Sequence, residues 1–131
     1  MLNLIVTIVS VIALIGLTGL MIFQLLLLFG LPYGNMAWGG KYDVLPLKLR
    51  IGSLISAAVI LYGIIVLLEK SAIVFLVNNQ TILNISSWFF VILFGLSTLG
   101  NINSKSEKEK KIMTPLAIIL TLSFLIVSLF A

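Results

Sequence analysis

Four long apolar stretches alternate with three short polar ones along this chain. The apolar runs cover about residues 4–29, 51–68, 85–102 and 112–130. A bilayer core of about 30 Å takes roughly 20 helical residues, so each run is long enough, or nearly so, to cross it. Short connections force consecutive spans to run in opposite directions. The pattern predicts a single domain over residues 1–131, an all-α integral membrane protein folded as an antiparallel four-helix transmembrane bundle.

Within the spans, small and polar residues fall on stripes. At 100° per residue, Thr7, Ser10, Thr18 and Gln24 lie within roughly 120° of one another on the first helix. Gly52, Ser56 and Gly63 make a narrow stripe on the second, and Ser86, Ser97, Thr98 and Asn101 share one side of the third. Lipid tails are as apolar as Leu, so membrane helices associate through close approach of small residues and through polar contacts. The stripes are therefore expected to face inward, as packing seams with hydroxyls bonded back to carbonyls, or around a polar cavity. Gln24 and Asn101 are the strongest hydrogen-bonding groups such a cavity would have. Both stand at the ends of their helices beside the first and third connections. The Gly52 stripe could instead meet another subunit.

Composition places the chain in a bilayer. Hydrophobic residues make up 61% of it, against roughly 45–50% in soluble domains. The mean hydropathy is +1.28. The net charge of +4 comes from basic residues flanking apolar spans, where they set orientation and meet anionic lipid, so nucleic acid is not an expected partner. Membrane lipids are, together with a second copy or a membrane partner protein. With no Cys and no His, thiol chemistry, disulfides, Cys/His metal sites and imidazole catalysis are excluded. The four acids, Asp43, Glu69, Glu107 and Glu109, have no catalytic or metal-binding spacing, so neither a catalytic residue, a metal nor a cofactor is expected. No charge falls in the centre of a span, which argues against an ion-driven antiporter.

Counting Lys and Arg in short loops sets the orientation. Lys41, Lys48 and Arg50 flank the first connection, and Lys105, Lys108, Lys110 and Lys111 lie in the third, whereas the second has Lys70 alone. Seven against one predicts loops 30–50 and 103–111 in the cytoplasm and both termini outside a cell membrane. The Ile, Leu, Lys and Asn bias looks bacterial, so the sequons at Asn79 and Asn84 are read as chance. The first span has no preceding Lys or Arg and is about twice the length of a signal h-region, so it reads as a retained helix. In the second connection, residues 71–84, the apolar run 72–77 is expected to extend the second helix or lie in the interface.

The first connection is the least ordinary part of the chain. Residues 30–50 hold four glycines, two prolines, one Trp, two Tyr and four charges. A plain helical turn needs only a few residues, so this passage is expected to lie on the membrane surface or fold back into the bundle mouth. Amides around Gly39 and Gly40, with Lys41, Lys48 or Arg50, could hold an anionic group such as a lipid phosphate. An aromatic and basic anchor at the interface is the simpler alternative.

The pattern Gly30-x-Pro32-x-Gly34-x-x-Ala37-Trp38-Gly39-Gly40, followed by Leu45-Pro46-x-x-Leu49-Arg50-x-Gly52-Ser53, resembles an uncharacterised family of small bacterial four-helix membrane proteins. The later stretch Leu99-Gly100-Asn101-x-Asn103-Ser104-x-Ser106-x-x-Glu109, then Met113-Thr114-Pro115, is similar as well. The resemblance implies fold and location and supplies no substrate. Relatives often carry a His late in the first helix; Gln24 stands nearest that position here, so a titrating imidazole does not carry over. The expected role is a non-enzymatic membrane protein that binds a lipid headgroup or small polar ligand at its cytoplasmic mouth. Its candidate residues are Gln24, Asn35, Trp38, Gly39, Gly40, Lys41, Arg50, Asn101, Asn103 and Ser104. An accessory or oligomerising subunit of a larger complex, or a small transporter, is the alternative.

Overall fold

The structure is a computed structural model that describes residues 2–131. It is a bundle of four helices: α1 (Leu2–Leu28), α2 (Leu47–Lys70), α3 (Gln80–Ile102) and α4 (Glu107–Phe130). At 1.5 Å per residue their 23 to 27 residues reach about 34–40 Å, enough to span a bilayer core, and each is apolar enough to do so. Among the described residues there is no strand. Neighbours in space follow chain order, α1 on α2, α2 on α3, α3 on α4, and α4 back on α1.

Helices α2, α3 and α4 begin four or five residues before the apolar spans do. Apolarity marks where lipid lies, whereas the first helical turn is set by groups that satisfy free N–H donors. For α3 that group is Asn79, whose side chain accepts from Ile82 N at 3.0 Å. For α4 it is Ser106, whose Oγ accepts from Glu109 N at 3.2 Å. Residues 107–111, expected in the third loop, are thus helical, and that loop shrinks to residues 103–106.

Two helices end in the same six-residue wrap. Leu31 N bonds Leu26 O and Gly30 N bonds Leu27 O, both at 3.1 Å, with Gly30 at φ +83°. Ile73 N bonds Leu68 O at 2.9 Å and Ala72 N bonds Glu69 O at 3.0 Å, with Ala72 at φ +60°. This left-handed cap normally takes glycine. The apolar run 72–77 therefore leaves α2 rather than extending it, and its Ile73, Phe75 and Leu76 side chains are exposed. The Glu69 carboxylate ties this loop down, accepting from the amides of Leu76 (3.2 Å), Val77 (2.9 Å) and Asn78 (2.7 Å).

The core is aromatic at the α3–α4 seam. Phe90, Phe94 and Phe124 stack with centroids 5.0 to 6.1 Å apart. Gly63 lets α2 approach, since a Cβ there would lie 3.1 Å from the Phe90 ring. Beside it Tyr62 Oη and Ser86 Oγ share a 2.6 Å hydrogen bond. The stripes on α2 and α3 face inward: Ser86 is buried, Gly52 carries the Trp38 ring, and Ser56 and Ser97 line a cavity. The Gly52/Ser56/Gly63 stripe is thus occupied within its own bundle. On α1 Ser10 is buried and Gln24 lines the cavity, whereas Thr7 and Thr18 are exposed, and Thr7 Oγ1 bonds back to Asn3 O at 2.8 Å.

Candidate functional site

The end of the bundle that holds the first and third connections is hollow. The C-terminal turns of α1 and α3 and the N-terminal turns of α2 and α4 surround a cavity of about 340 Å³, and residues 36–38 of the first connection form part of its wall. That volume sits at the lower end of the roughly 300–1,000 Å³ usual for small-molecule sites. Leu20, Phe23, Phe94, Leu116 and Leu120 make the inner walls apolar. Gln24, Ser56, Ser97 and Asn101 bring neutral polar groups, and Glu109 brings the one charged group of the lining.

The first connection folds back onto the bundle because three features fix it there. Gly34 N bonds Asp43 O at 2.8 Å, and a Cβ on Gly34 would lie 2.3 Å from Tyr42 O, so only glycine lets the two arms of the loop close. Trp38, Gly39 and Gly40 are all left-handed, at φ 52°, 73° and 75°. This sharp turn brings the Trp38 ring against Gly52, where an added Cβ would be 3.2 Å from Cζ2. Ser106 Oγ donates to Asn35 O at 2.5 Å, and Gly40 packs so closely on Ser106 that an added Cβ would sit 2.6 Å from its Cβ.

The α4 N-terminus completes the arrangement. Ser106-Glu107-Lys108-Glu109 has the form of a capping box, in which the glutamate side chain usually returns to the N-cap amide. Here Ser104 Oγ takes the Ser106 amide, at 3.1 Å. The Glu109 carboxylate turns inward instead, and its Oε2 accepts from Gly39 N at 3.3 Å. Glu109 is only 7% exposed.

Of the residues singled out from sequence, Gln24, Trp38 and Asn101 line the cavity. Asn101 Nδ2 donates to Met113 O at 3.4 Å, which ties α3 to α4 and leaves Oδ1 as an acceptor. Gly39 adjoins the cavity through Glu109, whereas Asn35, Gly40 and Ser104 bear on Ser106 and hold the loop. The remaining three are elsewhere. Arg50 Nε donates to Leu28 O at 2.8 Å, satisfying a carbonyl at the end of α1. Lys41 Nζ lies 5.5 Å from the Tyr42 ring centroid, and Asn103 Nδ2 donates to Leu99 O at 2.9 Å. The anion cradle expected at Gly39 and Gly40 is not assembled: the Gly39 amide faces a carboxylate, and no Lys or Arg lines the cavity. Ser56 and Ser97, from the stripes expected to pack inward or surround a polar cavity, line it as well, and Glu109 is the lining residue with no ligand role expected from sequence.

No family model, curated protein or solved structure matches the chain. Its function has to be read from the mouth itself.

Proposed function

We propose that this chain is a non-enzymatic protein of a bacterial cell membrane that binds a small polar group, free or on a lipid, in the mouth of its bundle. The observation that carries this is the cavity itself: about 340 Å³ of space at the end that holds the first and third connections, walled by apolar side chains and furnished with Gln24, Asn101 and Glu109. A bundle built only for packing would fill that space, because interiors are close-packed and voids forfeit contacts. The seven-to-one distribution of Lys and Arg supports a cytoplasmic mouth and external termini.

The accessory-subunit alternative has less support. Its natural contact surface, the Gly52/Ser56/Gly63 stripe, is taken up by Trp38, the cavity and Phe90. Native mass spectrometry of the full chain released from nanodiscs tests the binding role. A retained lipid or small molecule is expected, with less retained by Trp38→Ala and Asn101→Ala. A bare chain, unaffected by either substitution, would overturn it.

A further inference from the structure

The charge of the cavity narrows what it can hold. We propose that the mouth selects an ammonium group, a single positive nitrogen on an apolar body, with Glu109 as its counter-charge; this deepens the binding role above and rests on it. Glu109 is more than nine-tenths buried, its side chain lines the cavity, and it has one hydrogen bond, a long one of 3.3 Å from the Gly39 amide. An ionised carboxylate accepts about four. The usual use of a glutamate at this helical position is closed to it, because Ser104 already occupies the N-cap amide.

No Lys or Arg lines the cavity, so nothing in its wall offsets this charge. Lys105, Lys108, Lys110 and Lys111, close in sequence, are all absent from the lining. The α4 N-terminal dipole favours the carboxylate but supplies no counter-ion within the cavity. A cationic guest would complete the site.

The rest of the wall decides which cation. A hard divalent ion wants six or more oxygens, several of them from carboxylates, and among the described residues no cluster of metal-ligating side chains exists. A monovalent nitrogen needs one counter-charge, with acceptors such as Asn101 Oδ1, and the lining includes Phe23 and Trp38, residue types whose rings attract a cation. The apolar walls accept a hydrocarbon body. A zwitterionic group is admitted only with its ammonium end toward Glu109, and a simple anion is repelled. That chemistry is shared by a soluble alkylamine and by the headgroup of phosphatidylethanolamine.

The test uses the full chain, with Trp88→Phe so that Trp38 alone reports, in nanodiscs of phosphatidylglycerol, which carries no ammonium. n-Hexylammonium is titrated against neutral n-hexanol and anionic hexanoate while Trp38 emission is followed. The cation is expected to bind about tenfold or more tightly than either control, and Glu109→Gln to abolish that preference, while Glu107→Gln, at an exposed position, leaves it intact. In a parallel arm, phosphatidylethanolamine is added to the bilayer and retained lipid is weighed by native mass spectrometry. Glu109-dependent retention of phosphatidylethanolamine without hexylammonium binding marks the lipid as the source, and the reverse marks a soluble amine.

Equal binding of all three hexyl probes, still sensitive to Asn101→Ala, with no Glu109-dependent retention of phosphatidylethanolamine, would overturn the ammonium assignment and leave the mouth a binding site. No binding or retention of any kind would overturn both. The comparison of charged and neutral probes is made on the unaltered Glu109 site, so it stands even if Glu109→Gln fails to fold.

Discussion

Gly39 and Gly40 are a matched pair that separates backbone strain from steric contact. Their φ angles are 73° and 75°, so alanine at either position carries a similar left-handed penalty of about 1–2 kcal/mol. Around Gly39 an added Cβ meets nothing within 4 Å. Around Gly40 it would lie 2.6 Å from Ser106 Cβ, 2.9 Å from Ser106 Oγ and 3.1 Å from Asn35 O. Ser106 cannot yield freely, because its Oγ caps α4 and donates to Asn35 O. Losing the cap costs about 1 kcal/mol and losing the hydrogen bond about another 1. Gly39→Ala should therefore cost about 1–2 kcal/mol and Gly40→Ala about 3–4. Equilibrium unfolding in mixed micelles, followed by far-UV circular dichroism, measures both. In a Trp88→Phe background, Gly40→Ala should also shift Trp38 emission, because the turn beside the ring is displaced. Ser106→Gly removes the clashing Cβ, so it should recover part of the Gly40→Ala loss although it weakens the cap when made alone. Equal costs at the two glycines, or no rescue by Ser106→Gly, would refute the docking of the first loop on α4.

Four further outcomes follow from other parts of the structure. Ala72→Gly should stabilise the protein by about 0.5–1 kcal/mol in the same unfolding assay, since Ala72 holds φ +60° where a helix cap favours glycine. Glu69→Gln replaces a carboxylate that accepts from three amides with a group carrying one acceptor oxygen, so hydrogen exchange at Leu76, Val77 and Asn78 should quicken while the core amides of α3 are unchanged. Arg50→Ala should cost about 1–2 kcal/mol, by freeing the Leu28 carbonyl and removing a cation from the α1 C-terminus, and Lys should restore only part of it. For orientation, cysteines placed at Lys41 and Asn79 should label from opposite sides, position 79 from outside the cell; labelling of position 41 from outside would reverse the assignment.

The four spans were legible because the bilayer imposes a length and a polarity that no local propensity can evade. The inward direction of the α2 and α3 stripes was legible for a related reason: small and polar residues such as Gly63 and Ser86 have little to gain on a lipid-facing surface. The α1 stripe was less legible, because a hydroxyl can be satisfied on its own helix, as exposed Thr7 is by the Asn3 carbonyl. Helix starts were less visible. Residues 80–84 and 107–111 look like connections by hydropathy, and only the capping chemistry of Asn79 and Ser106 marks them as helical. Arg50 shows the opposite difficulty, since a basic residue beside a glycine-rich loop looks free for an anion, yet a carbonyl 22 residues earlier already holds it.

Glu109 was hidden for a reason that also explains the site. Among Lys105, Lys108, Lys110 and Lys111 it resembles one charge in a solvated run, and its Ser-x-x-Glu spacing is fully accounted for by a capping box. What turns it inward is a substitution of one partner for another: Ser104 takes the amide the glutamate would have taken, and Gly39, 70 residues away, offers the amide that draws it into the cavity. The first is a local side-chain turn, two residues apart. The second has no local signature and depends on the first loop lying on α4, which in turn depends on Gly40 having no side chain. The turn of α4 that closes the mouth therefore also supplies its charge, so a displaced first loop should alter cavity shape and charge placement together.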